Sequence, residues 1–242
     1  MKRLFVLILC VGMLVLPARA EAAEKIVALT FDDGPSGRFT RELLDGLEQR
    51  DVKATFLLCG YRMAQYPTLT KQIYAAGHEI GLHGYSHKAM DQMCLQELTR
   101  EIDDTKALLP EGCKVQFLRP PGGQCNGITK QAAEGRGLSL LCWSVDPRDW
   151  ACHDAAVIQQ QVLCQVRDGD VILLHDMSDS SVEAALCIVD KLLQQGFRFV
   201  TVSELAKAKG IQPKPGQMYC RFDGQRKDGA LQRHLQFFVS FL

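Results

Sequence analysis

Residues 25–35 read KIVALTFDDGP, an apolar run that stops abruptly at two aspartates, a glycine and a proline. The run is rich in β-branched and large apolar residues and does not alternate strictly with polar ones, which is typical of a parallel strand buried on both faces. We therefore predict a strand at residues 25–31 that delivers the carboxylates of Asp32 and Asp33 to its carboxyl end.

Short apolar runs of this kind alternate with longer segments of helical period up to about Gly210. Six further strands are predicted at residues 53–58, 78–82, 115–118, 138–143, 170–174 and 198–200. Helices are predicted at residues 39–50, 61–76, 95–109, 126–136, 154–166 and 182–195, with a short one near 203–209. Seven strands alternating with helices indicate an α/β fold of βα units around a parallel sheet or barrel.

Ionisable residues come directly after five of the predicted strands. They are Asp32 with its neighbour Asp33, then His83, Arg119, Asp146 and His175. Sites in parallel α/β folds form at the carboxyl ends of strands, because the loops there converge on one face. The sequence therefore predicts that these side chains share one site.

The first twenty residues differ from the rest of the chain. Two basic residues precede an apolar run at residues 4–16, and small residues occupy positions −3 and −1 before Glu21. This order is typical of a secretory signal peptide, and the run is shorter than the ~20 residues that span a bilayer. An uncleaved short anchor is the alternative, whereas Leu9 before Cys10 disfavours a lipoprotein signal.

We thus expect a signal peptide at 1–20, a catalytic domain at 21–210 and a C-terminal tail at 211–242 whose role is open. Cleavage would leave the protein secreted or in the cell envelope. The remaining chain has 25 basic and 28 acidic residues without a basic stretch, so it lacks the electrostatic footprint of a nucleic-acid binder. No protein partner is evident, and a monomer is expected.

Ten cysteines are a high count, and nine remain after cleavage. An odd number in an exported protein leaves at least one thiol without an intramolecular partner. Several of them lie in apolar runs, where cysteine behaves as a small buried hydrophobe. No Cys-x-x-Cys pair is present, which disfavours a cysteine zinc site.

His83 and His87 are four residues apart, a spacing that on a helical turn would place both imidazoles within reach of one metal ion. Two surface histidines are the alternative reading, and Gly84 weakens a regular helix. The pair gains weight because an Asp-Asp pair follows another strand of the same sheet. Two histidines and one carboxylate leave Zn²⁺ an open position for water, as metal-assisted hydrolysis requires.

Asp32 and Asp33 are expected to have different roles. Neighbouring side chains of an extended chain point to opposite sides, so one carboxylate can bind the metal while the other acts as a general base. A pair of solvated turn aspartates before Gly34 and Pro35 is the alternative.

Three further segments offer catalytic groups. The guanidinium of Arg119, followed by two rigid prolines, can hold a carboxylate through charge-assisted hydrogen bonds. Asp149 and Trp150 follow the fifth strand, and His175 ends the sixth, where an imidazole outside the metal set can protonate a leaving nitrogen. Taken singly, each has a structural alternative: an ion pair, a packed indole or a capping histidine.

Together these segments resemble the polysaccharide deacetylases, the NodB-homology proteins of carbohydrate esterase family 4. The resemblance covers roughly residues 24–208 and rests on five motifs in the family's order: TFDDGP at 30–35, HGYSH at 83–87, RPP at 119–121, DPRDW at 146–150 and LLHD at 173–176. It implies a distorted (β/α) barrel with about seven parallel strands, similar to a TIM barrel.

The resemblance also implies residue roles. Asp33, His83 and His87 match the family's metal ligands, usually for zinc. Asp32 matches its general base, and His175 matches its general acid.

Four more positions match residues that assist in the family. Arg119 matches the residue that orients the base, and Asp149 the one associated with the acid. Trp150 and Leu173 match positions that line the pocket for the acetyl methyl group. The backbone N–H of Gly122 is the expected donor to the oxyanion.

The implied reaction is metal-dependent removal of N-acetyl groups from an extracellular aminosugar polymer, peptidoglycan or chitin-like, with release of acetate. Two departures from the family's pattern affect this expectation. Gly84 replaces the usual Ser or Thr, which predicts a looser loop between His83 and His87. Gly122 replaces an aromatic residue, which predicts a wider substrate groove. The alternatives are an inactive carbohydrate-binding relative and a hydrolase acting on a small amide or an O-acetylated polysaccharide.

Overall fold

The structure, a computed structural model, describes residues 24–223; the predicted signal peptide and the tail after residue 223 lie outside the described residues. The strands are β1 (Lys25–Asp32), β2 (Thr55–Leu58), β3 (Glu79–Leu82), β4 (Phe117–Leu118), β5 (Ser139–Leu141), β6 (Val171–His175), β7 (Phe197–Val200) and β8 (Met218–Tyr219). The helices are α1 (Arg38–Glu48), α2 (Gly60–Gln65), α3 (Pro67–Ala75), α4 (Leu95–Lys106), α5 (Gly127–Glu134), α6 (Ala155–Leu163), α7 (Asp179–Gln194) and α8 (Val202–Ala208). No helix in this part of the chain is long and apolar enough to cross a membrane.

The strands form one parallel, curled sheet in the order β6-β1-β2-β3-β4-β5-β8, with β7 pairing the first half of β1. The sheet closes on itself where the segment after β5 reaches β6: the N–H of Leu173 donates to the Val145 carbonyl at 2.9 Å. This closure confirms the predicted distorted (β/α) barrel. The register of β1 against β6 places Asp32 beside His175.

Strand β1 is buried on both faces, as its composition predicts. Val27, Leu29 and Phe31 belong to a core cluster shared with α1, α6 and α7. Ile26 and Ala28 point to the other side, into a cluster that contains apolar residues of α8. Each fully buried large aliphatic or aromatic side chain contributes roughly 1.5–3 kcal/mol, so β1 is a stable base for the aspartates at its end.

The predicted helix at 61–76 is wrong in one respect, because the structure has two helices there. Pro67 begins α3 at the first helical position, and Tyr66 before it has φ −127° and ψ 58°. A residue before proline is disfavoured in the helical conformation, and proline lacks the N–H that would continue α2. The apolar periodicity continues across this break, which is why the sequence suggested one helix.

Strand β8 was not predicted from the sequence. It lies in the segment predicted as tail, yet it pairs in parallel with β5, and the N–H of Leu140 donates to the Gln217 carbonyl at 2.8 Å. Two residues are too few for a recognisable strand pattern. The described domain therefore continues beyond Gly210 to the sheet edge at Met218–Tyr219.

Candidate active site

Three side chains converge at the carboxyl ends of β1 and β3. Asp33 Oδ1 lies 3.0 Å from Nε2 of His87 and 3.3 Å from Nε2 of His83. The three residues form the one group of potential metal-binding side chains found among residues 24–223, with ligand atoms all within 4.8 Å of one another. The predicted set Asp33, His83 and His87 is thus brought together.

The two histidines do not lie on a helical turn, as their spacing suggested. Residues 83–87 form an irregular loop after β3, in which Gly84 has φ 78° and His87 has φ 59°. The left-handed residues fold the loop back so that both imidazoles meet the same carboxylate. Glycine adopts this conformation without a steric penalty, and a Cβ on Gly84 would lie 2.8 Å from the Met90 methyl carbon.

Asp32 and Asp33 are also arranged differently from the expectation. Asp33 has φ 71°, a left-handed conformation that Asp tolerates better than most residues, so the chain is not extended at this point. Both carboxylates approach His83: Asp32 Oδ2 lies 3.7 Å from its Nε2, close to the 3.3 Å of Asp33. The two aspartates therefore lie side by side rather than on opposite sides of a strand.

The three ligands fit a divalent cation. Ligand bonds of about 2.0–2.1 Å in a tetrahedral site separate neighbouring ligand atoms by about 3.3 Å, and the contacts of Asp33 match that spacing. Nδ1 of His83 hydrogen-bonds the Arg119 carbonyl at 2.7 Å, which leaves Nε2 directed at the site. Such a bond from the second ring nitrogen is the usual support of a metal-binding histidine.

The side chains of Asp33, His83 and His87 form a cradle whose electrostatics favour a positive charge. Burial alone would raise the pKa of Asp33, but the adjacent His83 and His87 imidazoles hold that pKa well below its ordinary range. The pKa of His87 is raised, chiefly by its hydrogen bond to Asp33. A divalent cation would be attracted to the Asp33 carboxylate that both imidazoles face, and its binding would compete with protons for these groups.

Asp32 is buried beside the cradle and held by Arg119. The Nη1 atom of Arg119 lies 2.6 Å from Oδ1 of Asp32 and 2.9 Å from the Thr30 hydroxyl, and its Nη2 donates to the Cys142 carbonyl at 2.9 Å. Arg119 is fully buried, so this ion pair is oriented by fixed partners rather than by solvent. Breaking such a buried pair by removing one partner costs on the order of 3–5 kcal/mol.

His175 ends β6 and is oriented by Asp149. Its ring Nδ1 lies 2.8 Å from Asp149 Oδ1, and its backbone N–H donates to Asp149 Oδ2 at 2.8 Å. Burial lowers the pKa of His175, but the hydrogen bond and charge of Asp149, with smaller contributions from Asp32 and Asp33, raise it to about 9. The imidazole is therefore protonated at neutral pH and can act as an acid.

The three predicted substrate-binding residues lie on elements that flank these groups. Leu173 is buried in β6 opposite Thr30 of β1, and Trp150 is 59% exposed on the loop after β5, with the Arg148 guanidinium 5.2 Å from its ring. Gly122 has φ 65°, and a Cβ there would meet open space. Their roles in binding substrate stay predictions.

Glu101 holds the loop between His83 and His87, a role that was not predicted from the sequence. From α4 its carboxylate accepts hydrogen bonds from the N–H groups of Tyr85 and Ser86, at 2.7 and 2.8 Å, and from the Ser86 hydroxyl at 2.7 Å. Glu101 therefore ties the same loop, residues 83–87, that Gly84 was expected to loosen. An acidic residue in a charged helix resembles a solvated one, so the sequence carried no signal for this role.

Asp176 ends the LLHD motif at 173–176, and no role was predicted for it. In the structure it shapes the loop that follows Asp32 and Asp33. It is fully buried and bonded to the Thr40 hydroxyl, and burial raises its pKa to about 6. A Cβ on Gly34 would lie 2.6 Å from its Oδ1. This close approach explains why a glycine follows the two aspartates.

A barrel whose strand ends bring together a buried carboxylate, a protonated imidazole and a three-ligand cradle has the layout of a hydrolase. The family model of the polysaccharide deacetylases matches residues 19–141. The chain is 41% identical to a peptidoglycan-N-acetylglucosamine deacetylase of Bacillus cereus, over 77% of this chain and 90% of that protein. It belongs to the polysaccharide deacetylase family, that is, to carbohydrate esterase family 4, and is a deacetylase of that hydrolase family.

Other relatives extend the comparison to different substrates. The chain is 35% identical to the peptidoglycan-N-acetylmuramic acid deacetylase PdaC of Bacillus subtilis, over 77% of this chain but 40% of that protein. A family 4 acetyl xylan esterase from Clostridium thermocellum, solved in complex with a cobalt ion, has a TM-score of 0.76 and 33% identity, and the match covers 81% of this chain and 98% of that one.

Proposed function

We propose that this protein is a zinc-dependent deacetylase that hydrolyses N-acetyl groups of an aminosugar polymer outside the cytoplasm. Peptidoglycan is the favoured substrate, and a chitin-like chain is the second candidate. The observation that carries the proposal is the register of β1 with β6, which sets Asp32 beside His175, next to the cradle of Asp33, His83 and His87. The signal-peptide pattern at residues 1–20 supports export.

Asp33, His83 and His87 would hold the cation, which when bound supplies a Lewis acid for the amide carbonyl and lowers the pKa of water. The position of Asp32 suits it to accept the proton of the attacking water, because Arg119 fixes its other oxygen at 2.6 Å. A carboxylate held in this way is a preorganised general base.

His175 delivers a proton to the departing amine nitrogen. Its raised pKa of about 9 keeps the imidazole protonated until the C–N bond breaks. The products are acetate and a free amine on the sugar. The Gly122 N–H contributes a hydrogen bond to the developing oxyanion, and Trp150 and Leu173 contact the acetyl methyl group.

Acetate release from three polymers tests the proposal: peptidoglycan, N-acetylated chitooligosaccharide and acetylxylan. We expect release from peptidoglycan, with the loss of 42 Da per acetyl group in mass spectra of its fragments, and no release by Asp32→Asn. Release from acetylxylan alone would favour an O-deacetylase. No release from any polymer by a zinc-loaded protein would favour an inactive binding protein or a small amide substrate. A single species in sedimentation is expected, at the mass of a monomer.

A further inference from the structure

Two cysteines lie side by side at the edge of the barrel, and their thiols take no part in the proposed reaction. Cys142 directly follows β5, and Cys220 directly follows β8. The parallel register pairs Leu140 with Met218 and Leu141 with Tyr219, so Cys142 and Cys220 are the next residues in line.

The backbones are hydrogen-bonded at this point, because the N–H of Cys142 donates to the Tyr219 carbonyl at 2.7 Å. Side chains at paired positions of neighbouring parallel strands point to the same face of a sheet. The Cys142 and Cys220 thiols are therefore neighbours, and each shifts the pKa of the other. Both are free in the structure and half-buried.

We propose that Cys142 and Cys220 form an intramolecular disulfide when the protein meets a small-molecule disulfide such as oxidised glutathione. Neighbouring strands bring Cα atoms to about 4.8 Å, within the 4.4–6.8 Å that a disulfide typically spans. The bond would fasten β8, the short strand at the end of the sheet, to β5.

Cys142 is the thiol that attacks first. The hydrogen bond from Cys220, ahead of the effect of burial, lowers the pKa of Cys142 to about 7, whereas the pKa of Cys220 is raised by the same contact. A thiolate is the nucleophile in disulfide exchange. Cys142 is therefore the thiol of the pair that loses its proton first, while Cys220 keeps its proton until the second step.

The exchange balances in two steps. The Cys142 thiolate attacks one sulfur of oxidised glutathione, forms a mixed disulfide and releases one glutathione thiolate. Cys220 then loses its proton to water and attacks the Cys142 sulfur, which releases the second glutathione thiolate. The two protein thiols lose two electrons and two protons, and the glutathione disulfide is reduced to two thiols.

Peptide mapping of the full chain tests this directly. Trypsin places these two cysteines and Cys125 in three separate peptides: Cys142 in residues 137–148, Cys220 in residues 210–221 and Cys125 in residues 115–130. After incubation of the reduced protein with oxidised glutathione and digestion without reductant, we expect the peptides 137–148 and 210–221 to be linked. A link between 115–130 and 137–148 instead, or only glutathione adducts on both peptides, would overturn the proposal.

Thermal unfolding gives an independent readout that does not depend on deacetylation. A disulfide that closes a long loop commonly raises the Tm of a domain of this size by roughly 5–10 °C. We expect this rise on oxidation of the wild type and of Cys164→Ser, an exposed cysteine elsewhere, but not of Cys220→Ser. If Cys220→Ser fails to fold, the linked peptide of the wild type still decides the question.

Discussion

Asp149→Asn is the substitution that isolates the electrostatic control of the catalytic acid. Asp149 contacts both the ring and the backbone N–H of His175 at 2.8 Å. An asparagine has one acceptor oxygen and an NH₂ group in these places, so it can satisfy one of the two donors and carries no charge. The pKa of His175 is about 9 with Asp149 in place.

The size of the effect follows from this pKa. An acid with a raised pKa is protonated below that pKa, so activity should persist through neutral pH and fall as the pH rises through about 9. Without the hydrogen bond and charge of Asp149, the pKa of His175 would fall towards its ordinary value of about 6.5. At pH 8 the protonated fraction would drop from about nine-tenths to about 3%, a loss of roughly 30-fold in rate.

The assay is kcat/KM for acetate release as a function of pH, with Asp146→Asn as the matched control. The Asp146 carboxylate lies nearby, but it accepts a hydrogen bond from the Arg148 N–H at 2.8 Å rather than from His175. We expect the alkaline limb to move down by about 2.5 pH units in Asp149→Asn and to move much less in the control. A cation bound at Asp33 would offset the effect of that carboxylate on the pKa of His175, and it would do so equally in both variants. An unchanged alkaline limb in Asp149→Asn would refute the assignment of His175 as the acid.

Four further substitutions test the neighbouring groups. Asp32→Asn should keep the bound metal, measured by elemental analysis, and lose about 10²–10⁴-fold in kcat; near-normal turnover would show that another group is the base. Asp33→Ala and His83→Ala should each lose the metal and the activity together, and a variant that keeps stoichiometric metal contradicts the ligand set. Glu101→Gln should weaken metal affinity by about 10-fold, because Glu101 holds the loop that carries His83 and His87. The control Glu97→Gln, on the exposed face of the same helix, should leave the affinity unchanged. Equal affinities of the two variants in a chelator competition would show that Glu101 does not position the loop.

The barrel and the convergence of the candidate site residues could be predicted from the sequence, because parallel strands and the residues that end them have recognisable patterns. A buried parallel strand has a recognisable composition, and its last residue marks the place where a site forms. Asp32 and His175 each end such a strand, and the register of β1 and β6 makes them neighbours.

The local geometry was not predictable in the same way. The left-handed backbone at Asp33 and His87 is tolerated by these residue types, but its position depends on contacts that the loops make with the rest of the barrel. Glu101 and Asp176 act through partners distant in sequence or buried in the fold. Strand β8 is held by pairing with β5, and two residues have no periodicity to detect.

Metal stoichiometry against activity tests the central claim most directly. The protein would be stripped with a chelator, and acetate release from peptidoglycan would be followed while Zn²⁺ is added back in known amounts. The account predicts no release from the stripped protein and a linear return that ends at one cation per chain, since Asp33, His83 and His87 form one cradle. Full release by the stripped protein, or a return that needs two cations per chain, would contradict it.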